Sequence, residues 1–128
     1  MYFEHKALYR NKNVAQAIPD EAYTVEIGKA KLVQQGEDVS IITYGMGVHW
    51  ANEILDKHND IDADLLDLRT LCPLDKNAIF ESVRKTGKVI VLHEDSLTGG
   101  IGGELVALIA QHCFESLDAP IARCGALD

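Results

Sequence analysis

A chain of 128 residues is the length of one domain built around a single core. Twelve Lys and Arg against twenty Asp and Glu give a formal charge of −8, which opposes attraction to nucleic-acid phosphates or anionic membrane surfaces, so neither is an expected partner. No apolar run approaches the roughly 20 residues that span a bilayer, and the opening "MYFEHKALYRNKN" lacks the apolar stretch of a secretory signal, so a cytoplasmic location is expected.

Residues 1–24 mix charge, aromatics and a proline without a sustained period of 2 or 3.6, and read as a connecting segment ahead of one α/β domain over 25–128. "KAKLVQQGED" looks like a hairpin arm leading into "DVSIITYG", a β-rich run closed by Gly45. "GVHWANEILDKHN" then places Val48, Ala51, Leu55 and His58 at helical spacing. The unit repeats: "ADLLDLRTL" is a second strand, and "PLDKNAIFESVRKTG" a helix with Asp75 as N-cap, Ile79 and Val83 on one face and Gly87 as its stop. "KVIVLHED" is a third strand, apolar from Val89 to Leu92 as a strand covered on both faces should be. The turn "SLTGGIGG" leads to "ELVALIAQHCFESL", with Leu105, Ile109 and Cys113 forming an apolar stripe, and "PIARCG" supplies a last short strand. This alternation predicts an α/β fold: a three-layer open sheet, mostly parallel with one antiparallel strand, and helices on both faces.

Candidate chemistry is sparse. The glycine turn is placed like a phosphate cradle, but Leu105 stands where Gly-x-Gly-x-x-Gly needs its third glycine, and no Lys-Ser or Lys-Thr follows. A tight strand-to-helix joint is the favoured reading, as it is for "YGMGVHW". The five histidines show no metal-ligand spacing, and there is no Gly-x-Ser-x-Gly elbow. Cys72, Cys113 and Cys124 form no Cys-x-x-Cys pair and read as small core residues. His112 adjoins Cys113, but neighbours on a helix point about 100° apart. A polar cluster falls at the carboxyl ends of the predicted strands, where ligand crevices of open α/β sheets form: Tyr44, Arg69–Thr70 and His93–Glu94. Such a set can bind an anion or move a proton. It can equally contact another domain or subunit, which is the favoured reading.

Taken together, "FEHKALYR", "GKAKLVQQGEDVSIITYGMGVHWA", "DLRTLCPLD", "VIVLHEDSLTGGIGGEL" and "SLDAP" occur in an order that resembles the C-terminal part of the β subunit, or β region, of the E1 component of 2-oxo acid dehydrogenase complexes. The glycine turn and "DLRTLCPLD" are shared more widely across the transketolase C-terminal domain family, while "FEHKALYR" and "SLDAP" narrow the resemblance to the E1 β type. The resemblance implies a parent enzyme that decarboxylates pyruvate or a branched-chain 2-oxo acid with thiamine diphosphate and Mg²⁺ and acylates the lipoyl group of E2. It implies as partners an E1 α part, separate or fused, a second E1 β, and the E2 subunit-binding domain, in a dimer or heterotetramer.

In that family the cofactor is held by the α part and by a pyrimidine domain whose last strand would correspond to the start of residues 1–24. No catalytic, cofactor or metal residue carries over, and no cofactor is expected bound to this stretch. The start at Met1 and the end at "GALD" read as truncations of a longer protein, and the fragment is expected to fold but not to turn over a 2-oxo acid alone. The resemblance assigns Asp118 of "SLDAP" to the E2-binding surface and leaves Arg69, His93 and Glu94 as interdomain or subunit contacts. The alternatives are the equivalent domain of another thiamine enzyme of the transketolase group, such as deoxyxylulose phosphate synthase, or a free-standing α/β module binding a nucleotide or phosphate at the glycine turn.

Overall fold

The computed structural model describes residues 1–127. Its regular elements are β1 (Lys31–Gln34), β2 (Val39–Thr43), α1 (Met46–Lys57), β3 (Ala63–Asp67), α2 (Lys76–Thr86), β4 (Val89–Ser96), α3 (Ile101–Cys113) and β5 (Ala122–Ala126). The five strands form one sheet in the order β1-β3-β2-β4-β5, in which all neighbours are parallel except β1 and β3. Side chains alternate across it. Ile41 and Leu65 face Ala51 and Leu55 of α1, whereas Ile42 and Leu66 face Ile79 and Val83 of α2 and Leu105, Ile109 and Cys113 of α3. Each fully buried Ile or Leu contributes about 1.5–3 kcal/mol, so this two-sided apolar sheet is the main source of stability.

The local signals act as their chemistry dictates. Asp75 caps α2, its Oδ1 accepting the Ala78 N–H at 3.2 Å, and Gly87 ends the helix in the left-handed region at φ 67°. Two expectations are corrected. The segment before β2 is no hairpin arm, because its strand pairs antiparallel with β3 (Lys31↔Asp67, Leu32↔Leu66) rather than with β2. Strand β2 is the centre of the sheet and both its edges are taken by β3 and β4, so the chain must step across the foot of β3 to reach it. Gly36 makes that step possible: a Cβ there would lie 2.6 Å from the Asp62 carbonyl carbon. The second correction concerns cysteine. Only Cys113 is in the core; Cys72 and Cys124 are exposed, the first in the loop after β3 and the second on the edge strand β5.

A buried polar seam crosses the foot of the sheet. The Asp64 carboxylate, 1% exposed, accepts from the Gly36 N–H (2.9 Å), the Lys85 ammonium (2.6 Å) and the Ser82 hydroxyl (2.8 Å). Ser82 and Thr86 of α2 both bond Ser40 of β2, at 2.6 and 2.7 Å. Every member has a partner, so the seam fixes where α2 sits instead of weakening the core.

The glycine turn has a packing explanation. His93 of β4 is 1% exposed, and its ring lies under the first turn of α3. A Cβ on Gly102 would stand 2.6 Å from His93 Cδ2, and Cβ atoms on Gly100 or Gly125 would stand 3.0 Å from its Cε1. Three glycines thus wall the imidazole, and the joint is shaped by the side chain beneath it.

Residues 1–27 lie outside the sheet; they contain the short 3₁₀ turns Lys6–Arg10 and Lys12–Val14, and no described side chain there is buried.

Two stability measurements follow. Gly102→Ala should lower unfolding stability by about 2 kcal/mol in urea titration, because it overpacks the His93 wall. Gly103→Ala, whose added methyl would meet nothing nearer than Arg123 at 3.9 Å, should be neutral or stabilising by about 0.5–1 kcal/mol. Equal effects would refute the cage. Asp64→Ala should cost about 3 kcal/mol by stranding the Gly36 and Ser82 donors and freeing Lys85 from its buried partner; a loss below about 1 kcal/mol would show that the seam is dispensable.

Candidate functional site

The carboxyl ends of the parallel strands bring together some of the residues that the sequence placed there, and separate others. Tyr44, just beyond β2, is half-buried, and burial together with the nearby Asp95 and Glu94 carboxylates raises its phenol above the ordinary value. Glu94, at the exposed end of β4, pairs with His5 at 2.8 Å. That contact ties the segment before the domain to the crest of the sheet.

Arg69 is exposed and takes φ 55°, a left-handed conformation that costs a non-glycine residue about 1–2 kcal/mol. Its N–H donates to the Asp67 carboxylate at 3.0 Å, which holds the turn. Thr70 accepts the Gly28 N–H at 3.0 Å, and Asp75 accepts the Ala30 N–H at 3.1 Å, so the loop after β3 grips the chain entering β1.

The structure does not bring the whole set together. No ion pair joins Arg69 to Glu94 among the described residues, and His93 lies inside the glycine cage rather than in the crevice. What the crest offers is a polar, acidic surface of Tyr44, Glu94 and Asp95, with Arg69 projecting from a constrained turn.

The foot of the domain carries the other candidate. Asp118 is exposed, in the bend after the 3₁₀ turn Phe114–Ser116. Its N–H donates to the Gly87 carbonyl at 2.8 Å, and its carboxylate carbon would be 2.9 Å from a Cβ on Gly87. The carboxylate is therefore seated on the end of α2. The adjacent His112 and Cys113 diverge as helix geometry requires: the His112 ring lies 4.9 Å from that of Phe80, while burial pushes the Cys113 thiol up despite the Arg84 charge nearby. A protonated, buried thiol without a base is not a nucleophile.

Sequence reasoning passed over Asp64. The signal was available, since a carboxylate inside the apolar run "ADLLDL" must be partnered if the strand is buried. The cavity of about 320 Å³ between β1, β3 and α2 is lined by this same carboxylate together with Ser82 and Lys85, all engaged with one another. It belongs to the framework.

Comparison with known proteins places this arrangement. Over its whole length the chain is 42% identical to the 2-oxoisovalerate dehydrogenase subunit beta of Bacillus subtilis (strain 168) and 42% identical to the pyruvate dehydrogenase E1 component subunit beta of the same organism. It spans 39% of the length of each. A 2-oxoisovalerate dehydrogenase subunit beta from Pseudomonas aeruginosa is 41% identical over 92% of this chain and 33% of its own length. Among solved structures, one described as a split gene transketolase in an inactive beta4 tetramer matches 83% of this chain and 34% of its own, with 29% identity and a TM-score of 0.66. Residues 28–128 match the family described as transketolase, C-terminal domain, and span the sheet and its three helices. The chain belongs to the transketolase C-terminal domain family.

Proposed function

We propose that this chain is the C-terminal domain of the E1 β subunit, or β region, of a 2-oxo acid dehydrogenase of the pyruvate or branched-chain type, and that it serves assembly rather than chemistry. The observation that carries this reading is 42% identity across the whole chain to E1 β subunits of both substrate types. The parent enzyme would decarboxylate a 2-oxo acid and acylate the lipoyl group of its E2 partner, with E1 α and a second E1 β completing the assembly.

Thiamine diphosphate and Mg²⁺, which the family implies, do not fit the residues present. Mg²⁺ bound with a diphosphate needs only one or two protein carboxylates beside the phosphate oxygens, so the test is whether these residues can seat the diphosphate. The start of α3 is walled by His93, and Glu104 sits in its first turn, where a bound anion would meet like charge. No step of the reaction is assigned to this chain.

Its contribution is surface. The crest, with Glu94 already holding His5, and Arg69 on its constrained turn, supports contacts with the parent's other domains; His93 contributes from beneath by shaping the joint. At the foot, the seated Asp118 carboxylate suits a basic E2 subunit-binding domain, since a fixed acid both steers such a partner and pairs with its Arg or Lys.

Two measurements check this reading. The purified chain, supplied with thiamine diphosphate, Mg²⁺ and pyruvate or 2-oxoisovalerate, should release no CO₂, and measurable turnover would refute the assembly role. In calorimetric titration with an E2 subunit-binding domain, Asp118→Ala should weaken affinity about tenfold. Unchanged affinity would remove Asp118 from the contact.

A further inference from the structure

At the foot of the domain the last turns of α2 and α3 lock together through a short stack. The Arg84 guanidinium lies 5.7 Å from the Phe80 ring centroid and donates to the His112 carbonyl at 3.2 Å, with the His112 ring beside Phe80. Arg84, though exposed, is thereby engaged by α2 and α3, and Lys85 is held by Asp64. Over this floor lies a depression of about 370 Å³ lined by Arg84, Gln111, His112, Phe114 and Glu115.

Phe114 stands at its rim with 73% of its surface exposed, although it directly follows the buried Cys113. The Leu117 N–H donates to the Phe114 carbonyl at 3.2 Å and closes the 3₁₀ turn, which carries Phe114 at one end and leads into Asp118 at the other. Glu115 and Asp118 are both exposed, and neither has an ion-pair partner among the described residues. The turn therefore joins an uncovered aromatic ring to two carboxylates without an ion-pair partner among the described residues, one of them seated on Gly87, while Arg84 and Lys85 of α2 already have partners in the chain.

We infer that Phe114 is the apolar anchor of the surface to which Asp118 belongs, and that its occupant is a basic segment of the partner that lays an apolar side chain on the ring while its Arg or Lys meets Asp118 and Glu115. This rests on the assembly reading given above. The division of labour follows interface physics: a central aromatic supplies affinity by desolvation, and flanking charges supply steering and register. The depression beside Phe114 gives the incoming side chain a recess, and the Arg84–Phe80–His112 stack gives it a rigid floor.

The test is calorimetric titration of an E2 subunit-binding domain into the full 128-residue chain, as wild type, Phe114→Ala, Phe114→Leu and Asp118→Asn, with circular dichroism confirming that the exposed substitutions leave the fold intact. Phe114→Ala should weaken binding at least about tenfold, and Phe114→Leu, which keeps the apolar surface, by no more than about threefold. The Phe114→Ala loss should persist from about 0.05 to 0.5 M salt, whereas the Asp118→Asn loss should shrink as screening grows. If Asp118→Asn weakens binding and Phe114→Ala does not, the anchor is overturned and the assembly reading stands. If the wild type fails to bind, both fall.

Discussion

The Asp64 carboxylate is the contact on which the arrangement of this domain depends. It takes a backbone N–H from the link between β1 and β2, a hydroxyl and an ammonium from α2, and through Ser82 it reaches Ser40 in the central strand. Apolar burial alone would let α2 slide along the sheet, since the hydrophobic effect is non-directional. A charge with 1% exposure permits no such slack, because each donor lost leaves an unpaired buried group. The seam sets the height of α2, and thereby the position of Gly87 and of the bend that rests on it. The proposed assembly surface at the foot is thus positioned by a group that never reaches the surface itself.

The two ends of the sheet are built differently. At the crest, conformational constraint is spent on loops: Arg69 is held in the left-handed region, and Thr70 and Asp75 grip the chain entering β1. At the foot, the helix ends are bound to the sheet and to each other by polar contacts, and the exposed groups ride on a short turn. Both ends therefore present polar groups on constrained loops and turns, the arrangement on which the assembly proposal rests.

Much of this was legible in the sequence, because the signals involved are local. Three strand–helix units follow from alternating periods, the Asp75 cap and Gly87 stop from residue chemistry at helix ends, and the stripe of Leu105, Ile109 and Cys113 from helical spacing. What was not legible depends on non-local neighbours. The pairing of β1 with β3 follows from the crossover order, which no single segment records. Whether Cys124 is buried depends on β5 being an edge strand. His93 reads as a surface residue at a strand end, yet it is enclosed by glycines from two separate stretches, Gly100 and Gly102 on one and Gly125 on the other.

Gly87 connects these themes. In sequence it is only the stop of α2, a position satisfied by its left-handed backbone. In space its bare Cα is the seat of the Asp118 carboxylate, which any side chain would displace outward. A substitution at 87 would therefore act twice, once on the helix end and once on the placement of an acid far along the chain. On the proposed assembly reading, a glycine with no side chain of its own thereby governs how a partner would be met, and a variant there would keep its fold while losing its place in an assembly.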